Sequence, residues 1–72
     1  MDIDPEQLGQ WLKERRARSG ISQERLARDA NITLRHYQKI ENGEVTNPGI
    51  NTILRLFAVL GANLDDLPKR QA

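Results

Sequence analysis

The short connection in the middle of the chain constrains the fold most strongly. Two helical segments are separated by only residues 31–33. The first follows Ser22 and the second follows Thr33, and both residues are favourable N-caps. The second segment ends before Asn42-Gly43, a pair typical of turns. Helices joined this tightly cross at a steep angle instead of lying antiparallel, so the connection predicts a helix-turn-helix unit.

Further caps and stops divide the rest of the chain into short helices. Asp4 and Pro5 signal the start of a first helix, which Gly20 ends. An apolar stripe predicts a fourth helix over residues 50–60, and a single last turn is expected over residues 64–67. The stripe consists of Ile50, Ile53, Leu54, Phe57 and Leu60. We therefore predict an all-α fold, a compact bundle of five short helices.

Composition excludes several classes of function. The 72 residues amount to one small domain at most. The sequence has no Cys, and a lone His36 cannot form a metal cluster, so no metal and no cofactor are expected. Its longest apolar run, residues 56–62, is far shorter than the ~20 residues of a membrane helix. The lack of Cys fits a reducing compartment, and we expect a cytoplasmic protein.

Positive charge is concentrated between residues 13 and 39. This segment holds eight Lys or Arg and three acidic residues, a net charge of +5. Residues 1–12 carry −3 and residues 40–72 carry −1. A positive surface of this kind attracts polyanions, although a solvated helical surface produces the same distribution.

The third helix has one side that suits nucleic acid. At about 100° per residue, Tyr37 and Ile40 define its buried side. The opposite side is free of acidic residues and carries Arg35, Gln38, Lys39 and Asn42. Arg can pair with guanine and Gln or Asn with adenine, while Leu34 at the border can press on a thymine methyl group. A merely solvated face would look the same, but the tight turn before it favours DNA binding.

Two motifs resemble a known family. The runs Ser22-Gln23-Glu24-Arg25-Leu26-Ala27 and Tyr37-Gln38-Lys39-Ile40-Glu41-Asn42-Gly43 resemble the second helix and the end of the recognition helix in helix-turn-helix domains. These domains are of the phage repressor and Cro type, also called XRE-type or lambda-repressor-like. Pro48, Ile53-Leu54, Leu60-Gly61 and Leu64-Asp65-Asp66-Leu67 are similar to their later helices. The resemblance makes residues 8–67 the DNA-binding domain, 1–7 a lead-in with the first cap, and 68–72 a tail or linker stub.

The resemblance implies sequence-specific binding of double-stranded DNA in transcriptional regulation, of the repressor type. The recognition helix, residues 33–42, would lie in the major groove. The implied base contacts are Thr33, Leu34, Arg35, Gln38 and Lys39. The implied backbone contacts are Gln23, Asn42 and Thr46, and Gln23 would also brace the recognition helix. His36 is a border position that either contacts DNA or fills space. Arg16 and Glu41 are expected to form a structural salt bridge.

The resemblance also implies partners. Such domains usually bind near-palindromic operators as homodimers. The candidate dimer seam is Leu56, Val59, Leu64 and Leu67, although these residues can equally complete the core. The alternative function is an antitoxin or coactivator-like interaction module of the same fold, with a protein partner such as a toxin. An enzyme is not expected, because Ser22 and Thr33 are explained as caps and His36 lacks an orienting carboxylate.

Overall fold

The computed structural model describes residues 4–63, which form four helices. The helices are α1 (Pro5–Ser19), α2 (Gln23–Asp29), α3 (Leu34–Glu41) and α4 (Ile50–Leu60). The described residues contain no strand, so the all-helical prediction is confirmed for them. The predicted fifth helix, residues 64–67, lies outside the described residues. None of the four helices has the length and apolar character needed to cross a bilayer.

Three of the four helices begin at the side-chain caps that the sequence indicates. Asp4 accepts a hydrogen bond from the Glu6 amide at 3.0 Å, and Ser22 accepts one from the Arg25 amide at 3.0 Å. Thr33 caps α3 in the same way. Gly49 precedes α4 and supplies no side-chain cap. Local hydrogen bonds therefore set where α1, α2 and α3 start.

Left-handed residues end the helices and make the turn between α2 and α3. Gly20 and Gly61 follow α1 and α4 with φ of 70° and 67°. Asn31 has φ of 60°, which Asn tolerates better than most residues. Its amide donates to the carbonyl of Arg28 at 3.0 Å, and the next amide, of Ile32, donates to Ala27 at 2.9 Å. The turn is thereby closed by backbone bonds and fixes how α3 leaves α2.

The core lies where α3 packs against α1 and α2, and α4 closes it from the side of α1 and α2. Ala27 on α2 and Ala30, which follows its last residue, are buried, and their small side chains let the neighbouring helices approach. The buried apolar residues are Leu8, Leu12, Leu26, Ala27, Ala30, Tyr37, Ile40, Ile53, Leu56 and Phe57. Trp11 covers the edge of this core, with its ring centroid 4.7 Å from that of Phe57.

Helix α4 faces the core with a different stripe from the predicted one. Ile53 and Phe57 are buried as expected, but Ile50 and Leu54 are 44% and 43% exposed. Leu56 is only 1% exposed, so its assignment to a dimer seam is wrong and it belongs to the core. The helix is apolar on several sides, so helical periodicity alone cannot choose which side packs inward.

Of the other three residues in the predicted dimer seam, one lies within the described residues. Val59 is half-buried and packs against the core. Leu64 and Leu67 lie outside the described residues.

Gly9 marks the closest approach between α1 and α3. A Cβ atom at this position would lie 2.3 Å from the carbonyl oxygen of Glu41 and 2.8 Å from that of Ile40. Real Cβ contacts are not this short, so only glycine lets α1 touch the backbone at the end of α3.

We expect Gly9→Ala to lower the free energy of unfolding by about 2 kcal/mol, because the added methyl overpacks a backbone contact. In a helix without that contact, the same change would stabilise by roughly 1 kcal/mol. Urea denaturation measures the difference. Gly49→Ser is the control, since a Cβ there meets only Thr52 Oγ1 at 4.0 Å. A new cap should make it slightly more stable. A Gly9→Ala variant as stable as the parent would contradict the close approach.

Candidate nucleic-acid interface

The carboxylate of Glu41, the last residue of α3, joins three helices. Its side chain is 4% exposed. Arg16 of α1 donates to it twice, from Nε to Oε2 at 3.1 Å and from Nη2 to Oε1 at 3.2 Å. Gln23 of α2 donates from Nε2 to Oε1 at 2.9 Å, and the Tyr37 hydroxyl donates to Oε2. The ion pair expected between Arg16 and Glu41 is therefore present. It is bidentate, with two charge-assisted hydrogen bonds, which are stronger than neutral ones.

Hydrogen bonds keep this buried group charged. Burial raises the pKa of Glu41, but hydrogen bonds from Arg16, Tyr37 and Gln23 outweigh it, and the net pKa is lowered. The pKa of Arg16 is raised, and the main cause is its hydrogen bond with Glu41. Burial, followed by the hydrogen bond to Glu41, raises the pKa of Tyr37. At neutral pH the cluster therefore holds a carboxylate, a guanidinium and a protonated phenol.

Gln23 connects this cluster to the middle of α3. It is the first residue of α2, and its Oε1 accepts a hydrogen bond from Gln38 Nε2 at 3.2 Å. The same side chain donates to Glu41, so it bonds to α3 at two points one turn apart. The expectation that Gln23 braces this helix agrees with these contacts.

The outward side of α3 brings together most of the residues expected at a DNA interface. Tyr37 and Ile40 are buried on the inward side. Leu34 and Gln38 are half-buried, which places them at the borders of the exposed surface. The fully exposed positions are Thr33, Arg35, His36, Lys39 and Asn42. We call this surface, from Thr33 to Asn42, the α3 face.

Two of the expected contact residues also serve the fold locally. The Thr33 hydroxyl accepts a hydrogen bond from the His36 amide at 3.1 Å, which caps α3. Asn42 donates from Nδ2 to Glu44 Oε2 at 3.4 Å, so an acidic group accompanies it. Thr46 is exposed in the loop before α4, away from the hydrogen bonds that organise α3.

Charge on the α3 face is positive because the only acid of α3 is turned inward. Arg35 and Lys39 are exposed on this helix, whereas Glu41 is buried against Arg16. On the neighbouring α2, Arg25 and Arg28 have side chains that are 62% and 76% exposed. Both lie near Asp29, at 3.6 and 3.8 Å, so one acid is shared between two cations. An anionic partner is thus favoured beside α2 and the first turns of α3.

Sequence reasoning missed two of the contacts that hold the α3 face. Tyr37 was assigned to the core alone, although its spacing of four residues from Glu41 places both on one side of a helix. The resemblance implied that Gln23 braces α3, but nothing in the sequence identified Gln38 as its partner, since that bond depends on the angle that the turn sets between α2 and α3.

Known proteins resemble this chain in sequence and in fold. The helix-turn-helix family model HTH_3 matches residues 12–67. The crystal structure of the restriction-modification controller protein C.AhdI from Aeromonas hydrophila shares 30% identity and superimposes with a TM-score of 0.81, covering 88% of this chain and 90% of that one. The clp gene regulator ClgR from C. glutamicum, at 23% identity, has a TM-score of 0.83 and covers 89% and 81%. No curated protein sequence matches the chain.

The buried cluster should make stability depend on pH at both ends of the scale. The lowered pKa of Glu41 adds stability above the unfolded value of about 4.3, and that stability is lost as pH falls through the folded pKa. The raised pKa of Tyr37 adds stability below the unfolded value of about 10, which is lost as pH rises through its folded pKa. Urea denaturation between pH 2 and pH 11 tests both limbs.

The variant Glu41→Gln separates the contribution of this cluster to the pH dependence of stability from that of the other acidic residues. At pH 7 it should lower the free energy of unfolding by about 3 kcal/mol, because the part-buried Arg16 keeps its charge and loses its carboxylate partner. The acid limb should also become shallower. Glu24→Gln, at an exposed position, should stay within about 0.5 kcal/mol of the parent. Parallel acid limbs in the parent and Glu41→Gln would show that this carboxylate is not held by the cluster.

Proposed function

The chain belongs to the HTH_3 helix-turn-helix family, of the phage repressor and Cro type, and we propose that it regulates transcription by binding a specific sequence of double-stranded DNA. The observation that carries this proposal is the α3 face. Arg35 and Lys39 project from it, and the acid of the same helix is buried against Arg16. The major groove of DNA is wide enough to admit such a helix.

The α3 face supports a division of roles among its residues. Arg35 lies near the start of α3, where it would reach the edge of a guanine with two parallel hydrogen bonds. Lys39 follows one turn later, and Leu34 offers an apolar contact to a thymine methyl group. We assign base contacts to Thr33, Leu34, Arg35, Gln38 and Lys39. His36, expected at a border of the helix, is exposed and is added as a further candidate contact.

Backbone contacts are assigned to residues beside the α3 face. Gln23 uses one Nε2 hydrogen on Glu41 and retains a second for a phosphate, at the N-terminal end of α2. Asn42 and Thr46 complete the assignment from the other end of α3. Glu44 beside Asn42 repels phosphates, so the anchor should be stronger on the side of α2.

The relative with 30% identity supports a role in gene control. C.AhdI is described as a restriction-modification controller protein, and the chain covers 90% of it. We propose that this chain likewise controls transcription, as a repressor that binds an operator. Action on DNA places it in the cytoplasm, at the nucleoid when bound.

A homodimer is part of the proposal. Ile50 and Leu54 are large apolar residues that α4 leaves exposed one turn apart, and such residues favour a protein partner. A second copy of the chain on this side would present two α3 faces to one near-palindromic site. The second candidate function, an interaction module such as an antitoxin, rests on the same two residues with a different protein as partner.

Selection from a randomised duplex DNA pool tests the proposal directly. The full chain is used at one fixed salt concentration with excess competitor DNA. Enrichment of a twofold-symmetric site with half-sites about one helical turn apart is the expected result. A single half-site would contradict the dimer and leave DNA reading intact. Enrichment of no sequence would overturn the proposal and favour the interaction module.

Salt dependence gives an independent check on the selected site. Binding through phosphate contacts releases counterions from the DNA, and this release contributes less free energy as the salt concentration rises, so log K falls linearly with log salt. We expect a steep slope for this chain on duplex DNA. Weak binding that is blind to sequence would instead be the behaviour of an interaction module.

Arg35→Ala should weaken binding to the selected site by roughly 1–3 kcal/mol and relax the preference at one base pair. Competition binding with each base pair substituted in turn measures both effects. Arg55→Ala, which removes the same charge from an exposed position on α4, should leave the preference at every position unchanged. Equal weakening by Arg35→Ala on all sequences would make Arg35 a phosphate contact.

A further inference from the structure

Two glutamine side chains form a directed chain of hydrogen bonds that runs from the buried cluster to the α3 face. Gln23 Nε2 donates to Glu41 Oε1 at 2.9 Å. Gln38 Nε2 then donates to Gln23 Oε1 at 3.2 Å. Both glutamines are half-buried, so neither bond is open to full competition from water.

The direction of this chain is imposed by Glu41. An ionised carboxylate can only accept hydrogen bonds, and Arg16 and Tyr37 already hold Glu41 in that form. Gln23 must therefore turn its amino group to Glu41 and its carbonyl oxygen to Gln38. Gln38 must in turn give an N–H to Gln23. Reversing either amide would place two acceptors or two donors against each other.

This direction decides what Gln38 can offer to a partner. Its Nε2 retains one hydrogen, and its Oε1 accepts no hydrogen bond from residues 4–63. Gln38 thus presents one acceptor and one donor. In the major groove, adenine presents the matching donor and acceptor at N6 and N7, whereas guanine presents two acceptors at O6 and N7.

We propose that Glu41 and Gln23 fix the amide polarity of Gln38, so that Gln38 selects adenine against guanine at one base pair. This inference rests on the proposed function, in which the α3 face enters the major groove. Gln38 touches the base, while Gln23 and Glu41 are positioning residues. To accept guanine, Gln38 must turn its second N–H outward and give up its bond to Gln23.

The variants Gln23→Met, Gln38→Met and their combination test the chain of bonds. Methionine keeps the length of glutamine and removes its donors. Affinity is measured on the selected site with adenine or guanine at each position. The parent should prefer adenine at one position by about tenfold or more. Gln38→Met should abolish that preference, and Gln23→Met should reduce it about fivefold, the size of one neutral hydrogen bond.

The double variant should show the same base preference as Gln38→Met, because Gln23 acts on that base only through Gln38. Its overall affinity should fall further, since the phosphate contact assigned to Gln23 is also lost. Gln10→Met is the matched control. It removes an exposed glutamine of α1 whose side chain donates to Glu14, far in sequence from α3, and it should leave every base preference unchanged.

The outcomes separate this inference from the proposed function. If Gln23→Met lowers affinity equally on all sequences, Gln23 is a phosphate contact only, and the inference fails while DNA reading stands. If no position prefers adenine through Gln38, the inference likewise fails. If the parent selects no DNA sequence, both fail together. Circular dichroism establishes that each variant is folded before binding is measured.

A measurement without DNA tests the hydrogen bond itself. The side-chain amide resonances of Gln38 in the free protein should shift in Gln23→Met and stay in place in Gln10→Met. Unchanged resonances in Gln23→Met would overturn the chain of bonds whatever the binding data show.

Discussion

A single buried carboxylate connects three of the helices, α1, α2 and α3. Among residues 4–63, Glu41 is the one charged residue that is buried. Burying a charge costs several kcal/mol unless partners replace water, and here Arg16, Gln23 and Tyr37 do so from α1, α2 and α3 itself. Because these bonds are directional, they fix how α1 and α2 sit against the C-terminal end of α3. The cluster therefore contributes a specified arrangement more than it contributes net stability.

A close backbone contact between α1 and α3 lies at the same end of α3 as the Glu41 carboxylate. Gly9 lets α1 touch the carbonyls at the end of α3, and Arg16, two turns further along α1, reaches the carboxylate of that same end. The inward side of α3 is thus fixed at its C-terminal end, while Thr33 and the turn at Asn31 fix where it begins. A helix held so completely on one side has its other side, the α3 face, free for a partner. The α3 face is positively charged because Glu41, the acidic residue of α3, is buried against Arg16 while Arg35 and Lys39 are exposed.

The α3 face and the exposed apolar pair of α4 lie on different helices and suit different partners. The α3 face is polar and cationic, and it suits the edges and phosphates of DNA. Ile50 and Leu54 on α4 are apolar and suit a protein. A regulator that binds DNA as a dimer needs both kinds of surface on one small domain, and their separation on α3 and α4 lets them act at the same time.

Local chemistry explains what the sequence determined by itself. The caps Asp4, Ser22 and Thr33 and the left-handed Asn31 act within a few residues, so the starts of α1 to α3 and the turn were predictable. Helical periodicity, with Tyr37 on the buried side, predicted the exposed positions of Arg35, Lys39 and Asn42, whereas Thr33 was expected on this face only through the family resemblance. Only the tertiary structure decided that α4 buries Leu56 and exposes Leu54, because the apolar side of α4 is wider than the surface that it packs against. It also decided the bond between Gln23 and Gln38, since side chains on separate helices meet only once the crossing angle is set.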